Sequence, residues 1–418
     1  MIRRYLQDLI LESLKHFPVV LLTGARQVGK STFAQGLIHA SWSAAYFTLD
    51  DRATLDAALR DADGFVSGLP MPAVIDEIQK APDLLRAIKR SVDRDRKPGQ
   101  YFLTGSANIM TLSTVSESLA GRIALHTLHP FCWPEFLEKP LPMILKDLFG
   151  GVDSRKLLKK YPGPSPKDYQ PRLIARVLQG GYPPATLMES DQAREQWFSS
   201  YRQTYLERDL LNIKSIENLP DFNRLLSLVA LRTGRLLNLS DLSRETGLPF
   251  TTLRRYMNLL EVTYQISLIR PYFTHLGKRL VKTPKLFFSD TGMAAHLIGI
   301  NEWKVMENQG HAGPMIETWV AGELSKILPV LDYRFKLYFW RTQTGQEVDF
   351  LIERAGKVVA IEVKWGHRIG ESDIKHLHRL AVDLKEKLLF SVVLYSGVES
   401  VPLGPKTVAI PFPVFFGV

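Results

Sequence analysis

Residues 18–32 read PVVLLTGARQVGKST, and the front of the fold turns on them. A short apolar run leads into a turn with glycines at 24 and 29, then into a segment of helix-forming residues. That order is a buried strand, a tight loop and a helix. The spacing is G-x-x-x-x-G-K-[ST], met by Gly24, Gly29, Lys30 and Ser31. Glycines let the backbone wrap so that amide N–H groups and the helix N-terminus aim at phosphate oxygens. The cradle runs through Gly24, Ala25, Arg26, Gln27, Val28, Gly29, Lys30, Ser31 and Thr32. Lys30 would reach the β- and γ-phosphates and Ser31 would hold Mg²⁺, so ATP with Mg²⁺ is the expected cofactor.

A nucleotide hydrolase also needs acids at the tip of a second buried strand. PAVIDEIQK (72–80) supplies them: Asp76 for the metal's water shell and Glu77 to polarise the attacking water. YFLTGSAN (101–108) is a further apolar strand ending in small polar residues, with Ser106 or Asn108 placed to contact the γ-phosphate or the water. In SLAGRIALHTLHPF (118–131), Arg122 reads either as an arginine finger acting on a neighbouring copy or as a surface arginine at a helix C-terminus. Strands alternate here with helical stretches, the pattern of a parallel α/β sheet.

The series GARQVGKST, VIDEIQK, LTGSAN and SLAGR…LHPF resembles a family of bacterial and archaeal AAA-type ATPases with a C-terminal domain long catalogued as of unknown function. The resemblance continues through GGYPPA (180–185), YLERDL (205–210) and KTPKLFFSDTG (282–292), nearly the whole chain. It implies an AAA-type core, a DNA-binding-like middle and a nuclease-like end.

Residues 143–172 are rich in Gly, Pro and Lys and read as a loop or insertion, followed by a helical lid around REQWFSSYRQTYLERDLLNI (194–213). There Trp197, Tyr201, Tyr205 and Leu206 make a packing stripe, and Arg208 reads more readily as a salt-bridge partner than as a nucleotide contact. LNLSDLSRETGLPFTTLRRYMNLLEVTYQISLIRPYF (237–273) has helix-turn-helix punctuation, with Ser240 as N-cap and Gly247 in the turn. Leu253, Tyr256, Met257 and Leu260 form the buried stripe of the second helix, leaving Thr251, Thr252, Arg254, Arg255 and Asn258 outward for a DNA groove. Lys278, Arg279, Lys282 and Lys285 follow as phosphate-backbone contacts.

QEVDFLIERAGKVVAIEVKWG (346–366) reads as a hairpin with acids and a lysine on one face. Asp349 and Glu362, thirteen residues apart, would converge with the carbonyl of Val363 to hold Mg²⁺, with Lys364 beside them to orient water. This is the D…(E)-x-K arrangement of restriction-endonuclease-like nucleases. Glu317, on the helix of PMIETWVAGELSKIL (314–328), borders an apolar stripe and completes the metal set; an acid there needs a partner. His376 and His378 are two apart on a helix and diverge, so they make no metal site.

The expected organisation is α/β multidomain. It comprises a P-loop AAA-type parallel-sheet core (1–140), a loop insertion and helical lid (141–215), a winged-helix DNA-binding-like domain (216–304) and a restriction-endonuclease-like end (305–418). Composition is globular, at 45% hydrophobic and 23% charged, and the net charge of +10 permits a nucleic-acid partner. One cysteine, Cys132, excludes an intrachain disulfide. No apolar run approaches membrane-span length and no signal peptide is legible, so a cytoplasmic homo-oligomer is expected. The leading function is a DNA-binding ATPase with a nuclease-like end, whether or not that end cuts. The alternatives are an ATP-driven nucleic-acid switch that only grips duplex, and a signalling or scaffold ATPase whose later domains bind protein.

Overall fold

The computed structural model describes residues 2–106, 119–163, 169–204, 218–273 and 282–418. They fall into two compact units, one of residues 1–131 with 258–265 and the other of 132–257 with 266–418.

The first unit is built on a five-stranded parallel sheet of β1 (Val19–Thr23), β2 (Ala45–Thr48), β3 (Ala73–Asp76), β4 (Tyr101–Thr104) and β5 (Ile123–Thr127), in the order β2-β3-β4-β1-β5. β1 pairs with β4 on one side and β5 on the other. It is buried throughout, which explains its unbroken Val-Val-Leu-Leu run. At its end Gly24 has φ +148°, and a Cβ there would meet the Leu128 carbonyl oxygen at 2.3 Å. Only glycine fits that turn. Gly29, at φ +91°, then starts helix α1 (Lys30–Ala40).

The second unit carries a nine-stranded mixed sheet. Its strands are β6 (Arg235–Leu236), β7 (Ile266–Pro271), β8 (Lys285–Phe288), β9 (Lys336–Arg341), β10 (Glu347–Arg354), β11 (Lys357–Lys364), β12 (Leu388–Tyr395), β13 (Val401–Gly404) and β14 (Thr407–Pro411). Their order is β13-β14-β12-β11-β10-β9-β7-β8-β6. The parallel pairing of β7 with β9 makes the strands of 216–304 and those of 305–418 one sheet, rather than two separate ones. Ala355 and Gly356, both at positive φ, turn β10 into β11.

The stretch read as a loop from 143 to 172 is largely helical: α2 (Ile144–Phe149), α3 (Ser154–Lys160) and α4 (Tyr169–Gln179). Asp153 caps α3 through the Lys156 N–H. These helices pack within the second unit, α2 on β11 and β12 and α3 on β13. The Gly and Pro content had hidden short amphipathic helices whose apolar faces exist only against that sheet. Trp197 and Tyr201 do pack together, their rings stacked at 5.1 Å. Tyr205, Leu206 and Arg208 lie outside the described residues.

In the helix-turn-helix segment, α5 (Leu239–Thr246) is capped by Asn238, whose side chain accepts from the Ser240 and Asp241 N–H groups. The cap is therefore Asn238 and not Ser240. Helix α6 (Phe250–Val262) follows Gly247, which sits at φ +75°. No helix among the described residues is long and apolar enough to cross a membrane.

Candidate functional site

The P-loop lies at the C-terminal edge of the first sheet, and the tip of β3 ends on that same edge. With β4 between β1 and β3, the two tips are about 10 Å apart, a separation a bound phosphate and cation can span. Lys30 is buried and donates to the carbonyls of Gly24 at 3.1 Å and Ala25 at 3.0 Å. Burial lowers the Lys30 pKa, and the nearby carboxylates of Glu77 and Asp76 pull it back up. The lysine and both acids thus belong to one electrostatic site.

Asp76 is buried at the end of β3 and receives two hydroxyl donors, Tyr46 at 2.8 Å and Thr104. Ser31 is among the groups that act on the Tyr46 hydroxyl, so the phenol lies near both side chains expected to hold Mg²⁺. A serine hydroxyl and a carboxylate are hard oxygen donors, and they fit that ion. Burial, then Asp76, raise the pKa of the Tyr46 phenol, keeping it a proton donor.

Glu77 has φ +59°, a left-handed conformation uncommon for a residue with a Cβ. Its N–H donates to Thr104 Oγ1 at 3.3 Å, and Gln79 donates to its carboxylate. Gln79 Oε1 in turn accepts the Ser106 N–H at 3.1 Å. The P-loop residues, Asp76, Glu77 and Ser106 therefore share one edge, while Asn108 lies outside the described residues. Tyr46 and Thr104 escaped sequence reasoning because they contribute only through strand neighbours, and Gln79, two residues after Glu77 in the turn that follows β3, was passed over. So was Tyr264, whose hydroxyl lies 2.9 Å from Thr23 Oγ1.

Arg122 stands apart from them. It immediately precedes β5, its carbonyl accepts the Val19 N–H, and its guanidinium pairs with Asp93 at 2.5 Å. That is the N-terminal edge of the sheet, about 16 Å from the P-loop along a five-residue strand. A finger role for Arg122 requires a second copy of the chain.

On α6, Leu253, Tyr256, Met257 and Leu260 are buried, while Thr251, Arg254, Arg255 and Asn258 are exposed and Thr252 is half-buried. Lys278 and Arg279 lie outside the described residues. Lys282 is exposed, but Lys285 is not available to phosphate: it is buried in the second unit.

Lys285 reorders the C-terminal site. Its ammonium lies 2.7 Å from Glu317 Oε1, contacts Glu347, and is 3.9 Å from Asp349 Oδ1. The stem crosses toward β10, with the Phe339 ring centroid 5.7 Å from Nζ. Glu317 thus has its partner, and that partner is a lysine. Asp349 sits where β10 slips register against β9, and its Oδ2 accepts the Val363 N–H at 2.8 Å. Val363 thus meets the acid through its N–H. Glu362 is buried and its Oε1 pairs with Lys364 at 2.9 Å.

Burial pushes the Glu362 carboxyl up to about 8, with Asp349 adding and Lys364 opposing. Glu317 is likewise pushed up to about 8 by burial and Asp349, against the pull of Lys285. Burial works against the Lys285 ammonium, but Glu317, Asp349 and Glu347 outweigh it and hold its pKa above the ordinary value. The structure brings Glu317, Asp349, Glu362 and Lys364 into one cluster. Among the described residues, however, no group of three His, Cys, Asp or Glu side chains is placed to hold a metal ion. The Lys285 ammonium stands beside Glu317 and 3.9 Å from Asp349, where sequence spacing gave no reason to bring it.

The ordered parallel sheet, the P-loop and the acid pair at its C-terminal edge define an AAA-type P-loop domain. Consistently, residues 16–137 match the family model described as AAA domain, and residues 170–304 and 312–415 match two domains of unknown function, DUF8612 and DUF4143. Over 401 residues the chain is 31% identical to the uncharacterized proteins Rv2008c of Mycobacterium tuberculosis and Mb2031c of Mycobacterium bovis, covering 96% of this chain and 81% of each relative. The chain belongs to the family of these AAA-domain proteins. Solved structures are more distant. A Walker-type ATPase of Pyrococcus abyssi is 14% identical with a TM-score of 0.42, covering 70% of this chain and 94% of that one. RuvB of Thermotoga maritima is 17% identical with a TM-score of 0.27, covering 62% and 86%.

Proposed function

We propose that this chain is a Mg²⁺-dependent ATP hydrolase that uses its nucleotide cycle to control engagement of DNA. The observation carrying the hydrolase is the convergence of Lys30, Asp76 and Glu77 on one edge of the sheet. In this reading the P-loop amides and Lys30 hold the phosphates, and Ser31 and Asp76 hold the cation and its water. Glu77, oriented by Gln79, takes the proton of the attacking water. Arg122 serves a neighbouring copy, which makes the working form a homo-oligomer.

The DNA reading rests on the outward face of α6, where Thr251, Arg254, Arg255 and Asn258 are exposed beside a buried apolar stripe. The C-terminal unit then grips DNA or cuts it, through Asp349, Glu362 and Lys364. The exposed Phe250 at the head of α6, 48% accessible, favours a second reading in which this face docks on protein.

The test is binding and cleavage of labelled linear, forked and four-way-junction DNA with Mg²⁺ or Mn²⁺, with and without ATP. Wild type is compared with Lys364→Ala. Cutting by wild type alone makes Lys364 part of a nuclease. ATP-dependent binding without cutting makes the unit a gripping surface. No DNA affinity at low salt moves the assignment to the protein-docking reading.

A further inference from the structure

The acids of the C-terminal cluster are arranged around a cation that belongs to the chain. Lys285 is a strand residue with 3% of its side chain exposed, and three carboxylates from two elements face it: Glu317 from the helix Ala312–Leu331, and Glu347 and Asp349 from β10. Arg341 neutralises part of this charge through Glu347 Oε2, at 2.6 Å. A simple structural ion pair needs one acid per lysine, and each further buried carboxylate adds desolvation cost that the pair does not recover.

A second observation points to a ligand. Glu362 Oε2 is buried, in a residue only 4% exposed, and has no hydrogen-bond partner among the described residues. Its Oε1 is committed to Lys364, and Asp349 is the neighbouring carboxylate it feels most strongly. An orphaned carboxylate oxygen beside Asp349 is costly unless something cationic reaches it. Lys285 already engages Glu317 and Glu347 and stands 3.9 Å from Asp349.

We propose that Lys285 is an internal cation that closes this carboxylate cluster to divalent metal. The cluster takes up a hard divalent cation, Mg²⁺ or Mn²⁺, at Asp349 and Glu362 once that side chain is withdrawn or removed. The ammonium, 3.9 Å from Asp349 Oδ1, sets a positive charge beside a carboxylate the divalent ion needs, and carboxylate oxygens are hard ligands for that ion. Lys285 acts as a positioning residue here; it touches the acids and no substrate. The inference rests on reading the acids as a cation site, but it makes no demand that the site cut DNA.

The test is Mn²⁺ binding to the nucleotide-free full chain, followed by calorimetry and by Mn²⁺ electron paramagnetic resonance. It compares wild type, Asp349→Asn, Lys285→Met, and Lys285→Met combined with Asp349→Asn. Lys285→Met is expected to gain a Mn²⁺ site at least about tenfold tighter than any in wild type, and the added Asp349→Asn change to abolish it. Uptake by wild type that Asp349→Asn alone removes would overturn the proposal, because the cluster would then be open with Lys285 in place. So would a folded Lys285→Met chain that binds Mn²⁺ no better than wild type.

Lys285→Met leaves acids uncompensated, so Lys285→Met with Glu347→Gln, which removes one of those charges, is measured alongside it. If both chains fold only when Mn²⁺ is present and not when NaCl replaces it, the proposal stands. If neither folds with or without Mn²⁺, Lys285 is a structural ion-pair partner and the proposal fails. DNA cleavage is scored separately: metal uptake without cutting sinks the nuclease reading and leaves the role of Lys285 intact.

Discussion

The hydroxyl of Tyr46 on β2 donates to Asp76 Oδ2 on β3 at 2.8 Å, across a single strand pairing, Thr48 with Asp76, at the end of the two strands. With Thr104 on the other oxygen, both lobes of the Asp76 carboxylate are fixed before any cation arrives. Tyr46→Phe removes one of the two donors while keeping the ring. ATP turnover is expected to fall about tenfold, with a shift toward higher Mg²⁺ requirement and little change in ATP affinity. Unchanged Mg²⁺ dependence would show that Tyr46 only packs.

Lys30 and Glu77 separate binding from chemistry. Lys30→Ala is expected to abolish ATP binding, measured by calorimetry or a fluorescent nucleotide. Glu77→Gln should still bind ATP yet lose about 10²–10⁴-fold in turnover, the range a positioned general base supplies. Normal hydrolysis by Glu77→Gln would remove Glu77 from the mechanism.

Arg122 sits on the edge of the sheet opposite the P-loop, paired with Asp93. If it serves a neighbour, Arg122→Ala and Glu77→Gln chains, each inactive alone, regain turnover when mixed, because a mixed interface can supply an intact finger to an intact P-loop. The finger is worth about 10³–10⁵ in rate where present, so a small recovery is measurable. Rate unaffected by Arg122→Ala would leave it a surface ion pair, worth about 0–1 kcal/mol.

For the exposed face of α6, Arg254→Ala with Arg255→Ala is expected to weaken DNA binding at every sequence. Removing two phosphate contacts lowers the slope of log affinity against log salt by about 1.8, at about 0.9 per contact. The folded state is unaffected, since neither side chain lies in the buried stripe of Leu253, Tyr256, Met257 and Leu260. An unchanged salt slope would place DNA elsewhere or nowhere.

Asp332, at the end of the helix that carries Glu317, accepts from Arg334 Nη2 at 2.7 Å and from Arg354 Nε at 2.7 Å. The Arg334 hydrogen bond first, then its backbone N–H and Arg354, hold the carboxyl well below its ordinary value of 3.8 against burial. A depressed folded value means the unfolded chain takes up its proton first as pH falls. The stabilisation is therefore complete above the ordinary value and lost as pH drops below about 4. Thermal melts of wild type and Asp332→Asn should differ at pH 7 and converge in acid. A difference independent of pH would mean the ionised carboxylate is not what stabilises the end of the helix.

How far the sequence reached differs between the two units. In the first, GARQVGKST and VIDEIQK are local signals. A glycine forced by a 2.3 Å approach of the Leu128 carbonyl, and an acid at a strand tip, leave their mark in consecutive residues. The strand alternation carried the parallel sheet with them. The outward and buried faces of α6 were legible because helical period alone sorts them. In the second unit the helices between 144 and 179 were not, because short segments are helical only against the elements they pack on.

The sequence by itself determined the phosphate cradle, the acid pair and the hairpin that carries Asp349 and Glu362. Tertiary structure alone decided what meets them. Tyr46 and Thr104 reach Asp76 through strand order, and Lys285 of β8 meets Glu317 of a packed helix and Glu347 and Asp349 of β10, a strand that is not its sheet neighbour. A motif records which groups lie near one another along the chain. The charge a buried carboxylate faces is set by whichever long side chain the packing brings within about 4 Å, and a lysine 32 residues before Glu317 leaves no trace of that in the spacing.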